Sequence, residues 1–284
     1  MNNYSQTNRL LGYPPDARLL IINSDDFGMC YSVNKAIFAV LKTGVVQSTS
    51  LMVTCPWTLQ AINFLKDHPD IHFGVHLTII FEPVNKGWGP ITSRDMVPDL
   101  LNHTGTFHNI EIFPRISYPS LLNQIELEFR NQIEYVLADG LKPTHLDWHS
   151  LRINNRADIF DLMFALAKEY GLAFRVSGRS FIRKVQVQNL PCNDHDKLDS
   201  FSIDPSTKAT IYTERLRALP AGLNEWAVHP GFDNVELIAL EPSAKHIRQT
   251  DLDFWTSPLA REIVNDECII LINYRALQSA WGKR

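Results

Sequence analysis

Apolar residues along this chain alternate between compact runs and stretches of helical period, and the alternation begins at residue 19. Leu19-Leu20-Ile21-Ile22 is a short uninterrupted apolar run, and residues 32–42 then repeat their apolar positions at three- and four-residue spacing until Gly44 ends the pattern. The run predicts a buried strand and the repeat a helix. Residues 45–53 are β-branched and apolar, 57–66 return to helical spacing, and 71–80 regain strand character. A β-α-β-α-β opening of this kind requires parallel strands joined by helical crossovers.

Residues 81–117 break the rhythm with Pro83, Gly87, Gly89, Pro90, Pro98, Gly105 and Pro114. An irregular stretch of that length is expected to serve function, as a lid or rim over a site. Past it, the pattern predicts a helix over 120–138, a strand over 144–148, a helix over 157–170 and a strand over 172–176. Residues 178–205 are irregular and predict a second loop over the same face. A helix over 206–218, a strand ending near His229-Pro230-Gly231, a helix over 258–265 and a strand over 268–272 complete the series. About seven strand-helix units with no linker-like break favour an α/β fold of the closed or nearly closed (β/α) barrel kind. An open doubly wound sheet gives the same local pattern and is the alternative. Neither an internal repeat nor a low-complexity segment divides the chain, so 1–284 reads as a single domain with its core over about 19–275.

Composition narrows the class. With 284 residues, 45% of them hydrophobic, the chain can bury a large core. Its formal charge of -4 comes from 27 basic and 31 acidic residues scattered along the sequence, so no basic stripe marks a nucleic-acid groove. The first residues lack a basic segment followed by an apolar one, and no apolar run approaches the roughly 18 residues of a membrane span. A cytoplasmic protein with no membrane partner is the expectation. Cys30, Cys55, Cys192 and Cys268 are widely spaced, without a C-x-x-C pair, and read as buried free thiols.

In an α/β barrel the chemistry sits at the carboxyl ends of the strands. Four predicted strands end in ligand or acid/base residues: Asp25-Asp26, His76, His145-Leu146-Asp147-Trp148-His149, and His229. His72 and His76 stand about 13 Å apart along a strand, too far to share one ion, and His76 is nearer the strand's exit. Period-two geometry puts His145, Asp147 and His149 on one face and Leu146 and Trp148 on the other. His149 is outermost, while Asp147 and His145 lie progressively deeper and suit support of the site by hydrogen bonding. Two adjacent carboxylates at a buried strand end repel each other. A divalent cation held by one carboxylate and two imidazoles would neutralise one charge and leave the other carboxylate to act as base. An Asx turn or helix N-cap ahead of Ser32 is the plainer alternative.

These segments together resemble the YdjC-like carbohydrate deacetylases, the family of the chitooligosaccharide deacetylases. Asn23-Ser24-Asp25-Asp26-Phe27-Gly28 is similar to that family's N-A-D-D-F-G opening, and Gly44-Val45-Val46-Gln47-Ser48-Thr49-Ser50 matches the segment that follows. Gly74-Val75-His76-Leu77-Thr78 resembles its G-V-H-L-T strand, residues 142–149 its K-P-T-H-L-D-S-H segment, and His229-Pro230-Gly231-Phe232 its late H-P-G/A-F motif. The resemblance implies a TIM-like barrel, one divalent ion on Asp26, His76 and His149, Asp25 as general base, and His229 as general acid. The implied reaction removes an acetyl group from an N-acetylated sugar.

The pattern departs from the family after His149, where Ser150-Leu151-Arg152-Ile153 replaces the further histidines many members carry, and at Trp148, where serine is common. Trp148, Trp88 or Trp57 could stack on a sugar face, and Arg175 and Arg275, which follow strands, could bind substrate or pair with a ligand carboxylate. One carboxylate and two imidazoles suit zinc, cobalt or manganese, whereas magnesium, often given for the family, prefers more oxygen ligands. The implied partner is a small carbohydrate, and a homodimer is compatible with the sequence. A metal-dependent amidohydrolase or phosphoesterase acting on a non-sugar, and a non-catalytic carbohydrate-binding relative, are the rival functions. The retained Asp25 and His229 argue against the second.

Overall fold

The computed structural model describes residues 5–81, 87–151, 156–244 and 246–281. A short helix, α1 (Gln6–Leu11), precedes the central strand β1 (Arg18–Phe27), which is buried from Leu19 to its end. Then follow α2 (Tyr31–Lys42), β2 (Ser48–Leu51), α3 (Thr58–Asp67) and β3 (His72–Leu77), the predicted opening in the predicted order. The rim contributes β4 (Ile80–Phe81) and β5 (His108–Asn109), which among the described residues pair only with each other. After it come α4 (Leu121–Ala138), β6 (His145–Trp148), α5 (Ala157–Glu169), β7 (Ala173–Phe174), α6 (Arg179–Gln186), β8 (Leu198–Asp199), α7 (Lys208–Arg217) and β9 (Gly222–Val228). The chain ends with α8 (Val235–Leu240), α9 (Ile247–Thr256), α10 (Pro258–Asp266), β10 (Ile270–Leu271) and α11 (Tyr274–Trp281).

The main sheet runs β7-β6-β3-β2-β1-β9-β8 and every pair in it is parallel. β10 pairs with the first part of β1, at Leu19 and Leu20, while β2 pairs with its later part, from Asn23 to Phe27. Seven strands along the path, curled so that their inner faces converge, make an irregular TIM-like barrel. Among the described residues no strand pairing joins β7 to β8. Side chains span the interior instead: Arg175, just past β7, bonds Glu225 on β9, and the ring of His145 on β6 stacks on Tyr274 at 3.7 Å between centroids.

Period two explains how a buried strand comes to carry polar side chains at one end. Leu19 and Ile21 point into the barrel floor with Leu223, Ile272 and Tyr274, while Leu20 and Ile22 pack outward against Ala36 and Val40 of α2. Asn23 and Asp25 continue the inward row, so the same face turns from apolar at the floor to polar at the mouth. On β3, Gly74 is required by packing rather than by its backbone. A Cβ built there would lie 2.5 Å from Nε2 of His145, whose ring is already held against Tyr274.

Three differences from the expected elements have physical causes. Residues 178–205 contain α6 and β8, and β8 is only two residues long, too short to show a period. Residues 232–257 contain α8 and α9, which the pattern did not announce; α9 buries Arg248 and Asp251 along with Leu252, Phe254 and Trp255, so its inward face mixes charge with apolar residues. Residues 82–86 of the rim lie outside the described residues, and the part from 87 to 117 is held by anchors. Trp88 Nε1 donates to the carbonyl of Ile80 at 2.9 Å, and the Glu128 carboxylate of α4 accepts from the Ile91 and Thr92 amides at 3.2 and 3.1 Å. Of the thiols, Cys30, Cys55 and Cys192 are buried, but Cys268 is exposed. Among the described residues no helix is long and apolar enough to cross a membrane.

Gly74→Ala is expected to lower stability by about 1–3 kcal/mol, the usual cost of overpacking a filled site. A thermal melt matching that of the parent protein would show that His145 can move aside.

Candidate metal and catalytic centre

β1 would alternate Asp25 inward and Asp26 outward if it stayed regular. It does not. The β1–β2 register shifts between Ser24 and Phe27, and Asp26 takes a left-handed φ of 71°. A bulge of this kind re-aims a side chain, and here it turns both carboxylates into the barrel mouth. Asp26 Oδ1 then lies 3.1 Å from Nδ1 of His149 and 3.4 Å from Nε2 of His76. Each of the three residues is buried and offers one ligand atom, and those atoms all lie within 4.8 Å of one another.

The nitrogen of His76 that faces away from Asp26 is held as well. Its Nδ1 donates to Asp147 Oδ1 at 2.8 Å, which fixes the tautomer and leaves Nε2 as the ligand atom. Trp88 packs its ring edgewise on His149, centroids 5.6 Å apart. One carboxylate oxygen and two imidazole nitrogens, converging in a buried pocket with an oriented histidine, fit a divalent transition ion. Asp25, His76 and Asp147 form a second convergent set. Arg175 already bridges Asp25 and Asp147, however, and a guanidinium disfavours another cation on those oxygens.

Each of the adjacent carboxylates has its own arginine. Arg175 binds Asp25 bidentately, Nη1 to Oδ2 at 2.7 Å and Nη2 to Oδ1 at 2.8 Å. It also reaches Asp147 Oδ2 at 3.1 Å and Glu225 Oε1 at 2.6 Å. Arg248 of α9 binds Asp26 Oδ2 at 2.8 Å and Glu241 Oε2 at 3.0 Å. Burial pushes the Asp26 carboxyl up, but Arg248 and the two histidines outweigh it and hold it well below the usual range. Burial also opposes ionisation of Asp25, and Arg175 outweighs it, so that carboxyl too is lowered. For His76, burial pushes down, yet the charge and hydrogen bond of Asp147, with help from Asp26 and Asp25, raise it to about 9.

His229 closes the far side. It follows β9, its Nδ1 lies 2.7 Å from Ser200 Oγ, and its amide donates to Asp251 Oδ2 at 2.7 Å. Its Nε2 faces the centre, 3.8 Å from Asp25 Oδ2. Tyr212 and Lys208 in turn hold Asp251 Oδ1, at 2.7 and 3.0 Å.

Seven of the residues singled out in the sequence thus come together: Asp25, Asp26, His76, Asp147, His149, Arg175 and His229. His145 lies one layer deeper, its Nε2 3.8 Å from Asp147 Oδ2. Trp148 and Arg275 lie elsewhere. Trp148 points out of the barrel by strand alternation and packs at 5.9 Å on Phe174. Arg275 follows β10, which pairs only with the start of β1; it is exposed, bonds Gln278, and stands close enough to His72 at the foot of β3 to oppose that residue's protonation. Trp57 is partly exposed beside Tyr31. Arg248, Glu225, Ser200 and Tyr274 belong to the centre but carry no local signal, since their partners lie far away in sequence. Gly231 was a signal of sorts: a Cβ there would meet Arg248 Cβ at 2.9 Å.

The chain is similar to known proteins over most of its length. The family model described as YdjC-like protein matches residues 19–266. A carbohydrate deacetylase of Thermoanaerobacter pseudethanolicus is 26% identical over 262 residues, covering 92% of this chain and 100% of its own. A chitooligosaccharide deacetylase of Yersinia enterocolitica is 26% identical over 251 residues, covering 87% of this chain and 94% of its own. A crystal structure from Enterococcus faecalis V583, whose description gives cellobiose-phosphate cleavage as a provisional role, has a TM-score of 0.80 at 28% identity. It covers 92% of this chain and 99% of that one.

Because a metal-ligating imidazole must be neutral, the raised His76 makes ion binding compete with a proton. Its protonation stabilises the ion-free fold fully below the ordinary 6.5, and that stabilisation is lost as pH rises through about 9. Below about 9, therefore, the affinity for zinc should weaken by about tenfold per unit fall in pH, with proton uptake by the buffer at neutrality. Titration calorimetry in buffers of different ionisation enthalpy reads both quantities. An affinity flat between pH 7 and 9 would contradict the assignment of His76 as a ligand.

Proposed function

The chain belongs to the YdjC-like family, and on that premise we propose that it is a metal-dependent carbohydrate deacetylase, hydrolysing the amide of an N-acetylated sugar or oligosaccharide to acetate and the free amine. The observation that carries this reading is a candidate base and a candidate acid, Asp25 and His229, standing 3.8 Å apart beside a three-ligand set. Amide hydrolysis needs all three functions, because water is a weak nucleophile, the carbonyl must be polarised, and an amine leaves badly unless protonated. The names of the relatives support the substrate class.

In this reading Asp26, His76 and His149 hold one divalent ion. When bound, that ion supplies Lewis acidity toward the acetyl oxygen and toward the attacking water. The imidazole-rich set favours zinc, cobalt or manganese over magnesium. Asp25 takes the proton of the attacking water as the new C–O bond forms. Arg175 keeps this carboxylate ionised and fixes both oxygens, so its orientation costs nothing at the moment of reaction. His229 gives a proton to the nitrogen as the C–N bond breaks, its ring aimed by Ser200 and by the Asp251 contact at its own amide. Asp147 serves the centre indirectly, by holding His76 in the ligating tautomer.

Asp25→Asn preserves the size and much of the hydrogen bonding of Asp25 but removes its basicity. Acetate release from N-acetylated oligosaccharides should fall by about 100- to 10,000-fold with ion content nearly unchanged. His229→Ala should also slow the amide, while an acetyl ester with a good leaving group is affected much less. If Asp25→Asn instead loses the ion yet regains normal turnover in excess metal, Asp25 is a ligand and the base lies elsewhere.

A further inference from the structure

Asp26 presents its two oxygens to different neighbours. Oδ1 faces His76 and His149, whereas Oδ2 accepts from Nη2 of Arg248 at 2.8 Å. Arg248 has little freedom to leave. It is 2% exposed, its Nε is tied to Glu241 at 3.0 Å, and its guanidinium lies over the Phe201 ring at 5.0 Å. Close packing holds the aliphatic stem too. At Gly231 a Cβ would stand 2.9 Å from Arg248 Cβ and 3.0 Å from its Cδ, so the absent side chain is what lets the arginine pass.

The geometry points to Arg248 as a positioning residue that confines Asp26 to a single ligand oxygen, Oδ1. The inference rests on the metal site set out under Proposed function. A carboxylate beside a divalent ion can bind through one oxygen or two, and a charge-assisted hydrogen bond to one oxygen decides between them. With Oδ2 held by Arg248, the ligand set stays at three atoms, as a hydrolytic site requires if positions are to remain for water and the acetyl oxygen. Glu241 has a place in this arrangement: it offsets the arginine's charge, so that a guanidinium and an ion can lie on opposite oxygens of one carboxylate. The glycine of His229-Pro230-Gly231-Phe232 then has a role of its own, distinct from that of the histidine two residues earlier.

The test uses cobalt as the ion, because its visible absorption weakens as coordination number rises. Arg248→Met is made together with Glu241→Gln, so that Glu241 is not left buried as a charge without its arginine and the ion alone answers Asp26; Gly231→Ala, which displaces the arginine without removing it, is made separately. Both variants should load cobalt at least as tightly as the parent protein, with a weaker and shifted visible band. Their kcat should be lower by about 10- to 100-fold, the usual effect of losing a ligand's hydrogen-bond partner, and KM little changed. Loss of folding in the double variant leaves Gly231→Ala to give the answer. A parental cobalt band in a folded variant that has bound the ion would overturn the role of Arg248 while leaving the metal site intact. Failure of the parent protein itself to bind cobalt would overturn both.

Discussion

Two carboxylates on consecutive residues, buried together at the end of one strand, are the constraint around which this molecule is built. Each carries a desolvation cost and each repels the other. Asp25 and Asp26 are tolerated because two arginines arrive from distant parts of the chain, Arg175 from the end of β7 and Arg248 from α9. Breaking a buried pair by removing one partner typically costs about 3–5 kcal/mol, so each arginine contributes to the fold as well as to the centre. Each is also balanced on its outer side by a glutamate, Glu225 for Arg175 and Glu241 for Arg248. The result is a centre in which two guanidiniums are shared among five carboxylates, Asp25, Asp147 and Glu225 on Arg175 and Asp26 and Glu241 on Arg248, before any ion arrives.

That pairing also divides the labour. Arg175 binds both oxygens of Asp25, which keeps this carboxylate ionised and sets a positive charge against a second cation there. Arg248 takes only one oxygen of Asp26, and the other is left toward two imidazoles. Chemically identical neighbours are thereby made different, and the bulge at Asp26 is what permits it. A regular strand would have sent the second carboxylate outward into the helical layer. Fold and chemistry meet at that one irregular residue.

Much of this was legible in the sequence. Strands β1, β3, β6 and β9 are each long enough for their inward rows to be read, and in each the polar residues follow at the mouth: Asp25 and Asp26, His76, Asp147 and His149, His229. What stayed hidden was of two kinds. β8 has two residues, cannot display a period and was missed, whereas β7 and β10, equally short, lie inside the strand-like runs 172–176 and 268–272. Arg248 was invisible for a different reason. A buried arginine and aspartate on the inner face of α9 imitate a solvent-facing helix, and the partner that justifies Arg248 lies 222 residues away. Arg275 misled by the converse route. It follows a strand, but β10 pairs low on β1, so the residues after it never reach the mouth. Trp148 was placed on the outer face by the period-two argument, and the outer face is where it packs.

The central claim is that Asp26, His76 and His149 together hold one divalent ion. Anomalous diffraction from crystals soaked in zinc or manganese, recorded on both sides of the metal's absorption edge, tests it most directly. The account predicts one strong peak within about 2.0–2.3 Å of Asp26 Oδ1, His76 Nε2 and His149 Nδ1, with Arg248 still on Asp26 Oδ2. A peak on Asp25 and Asp147 instead, or no peak at saturating metal, would contradict it.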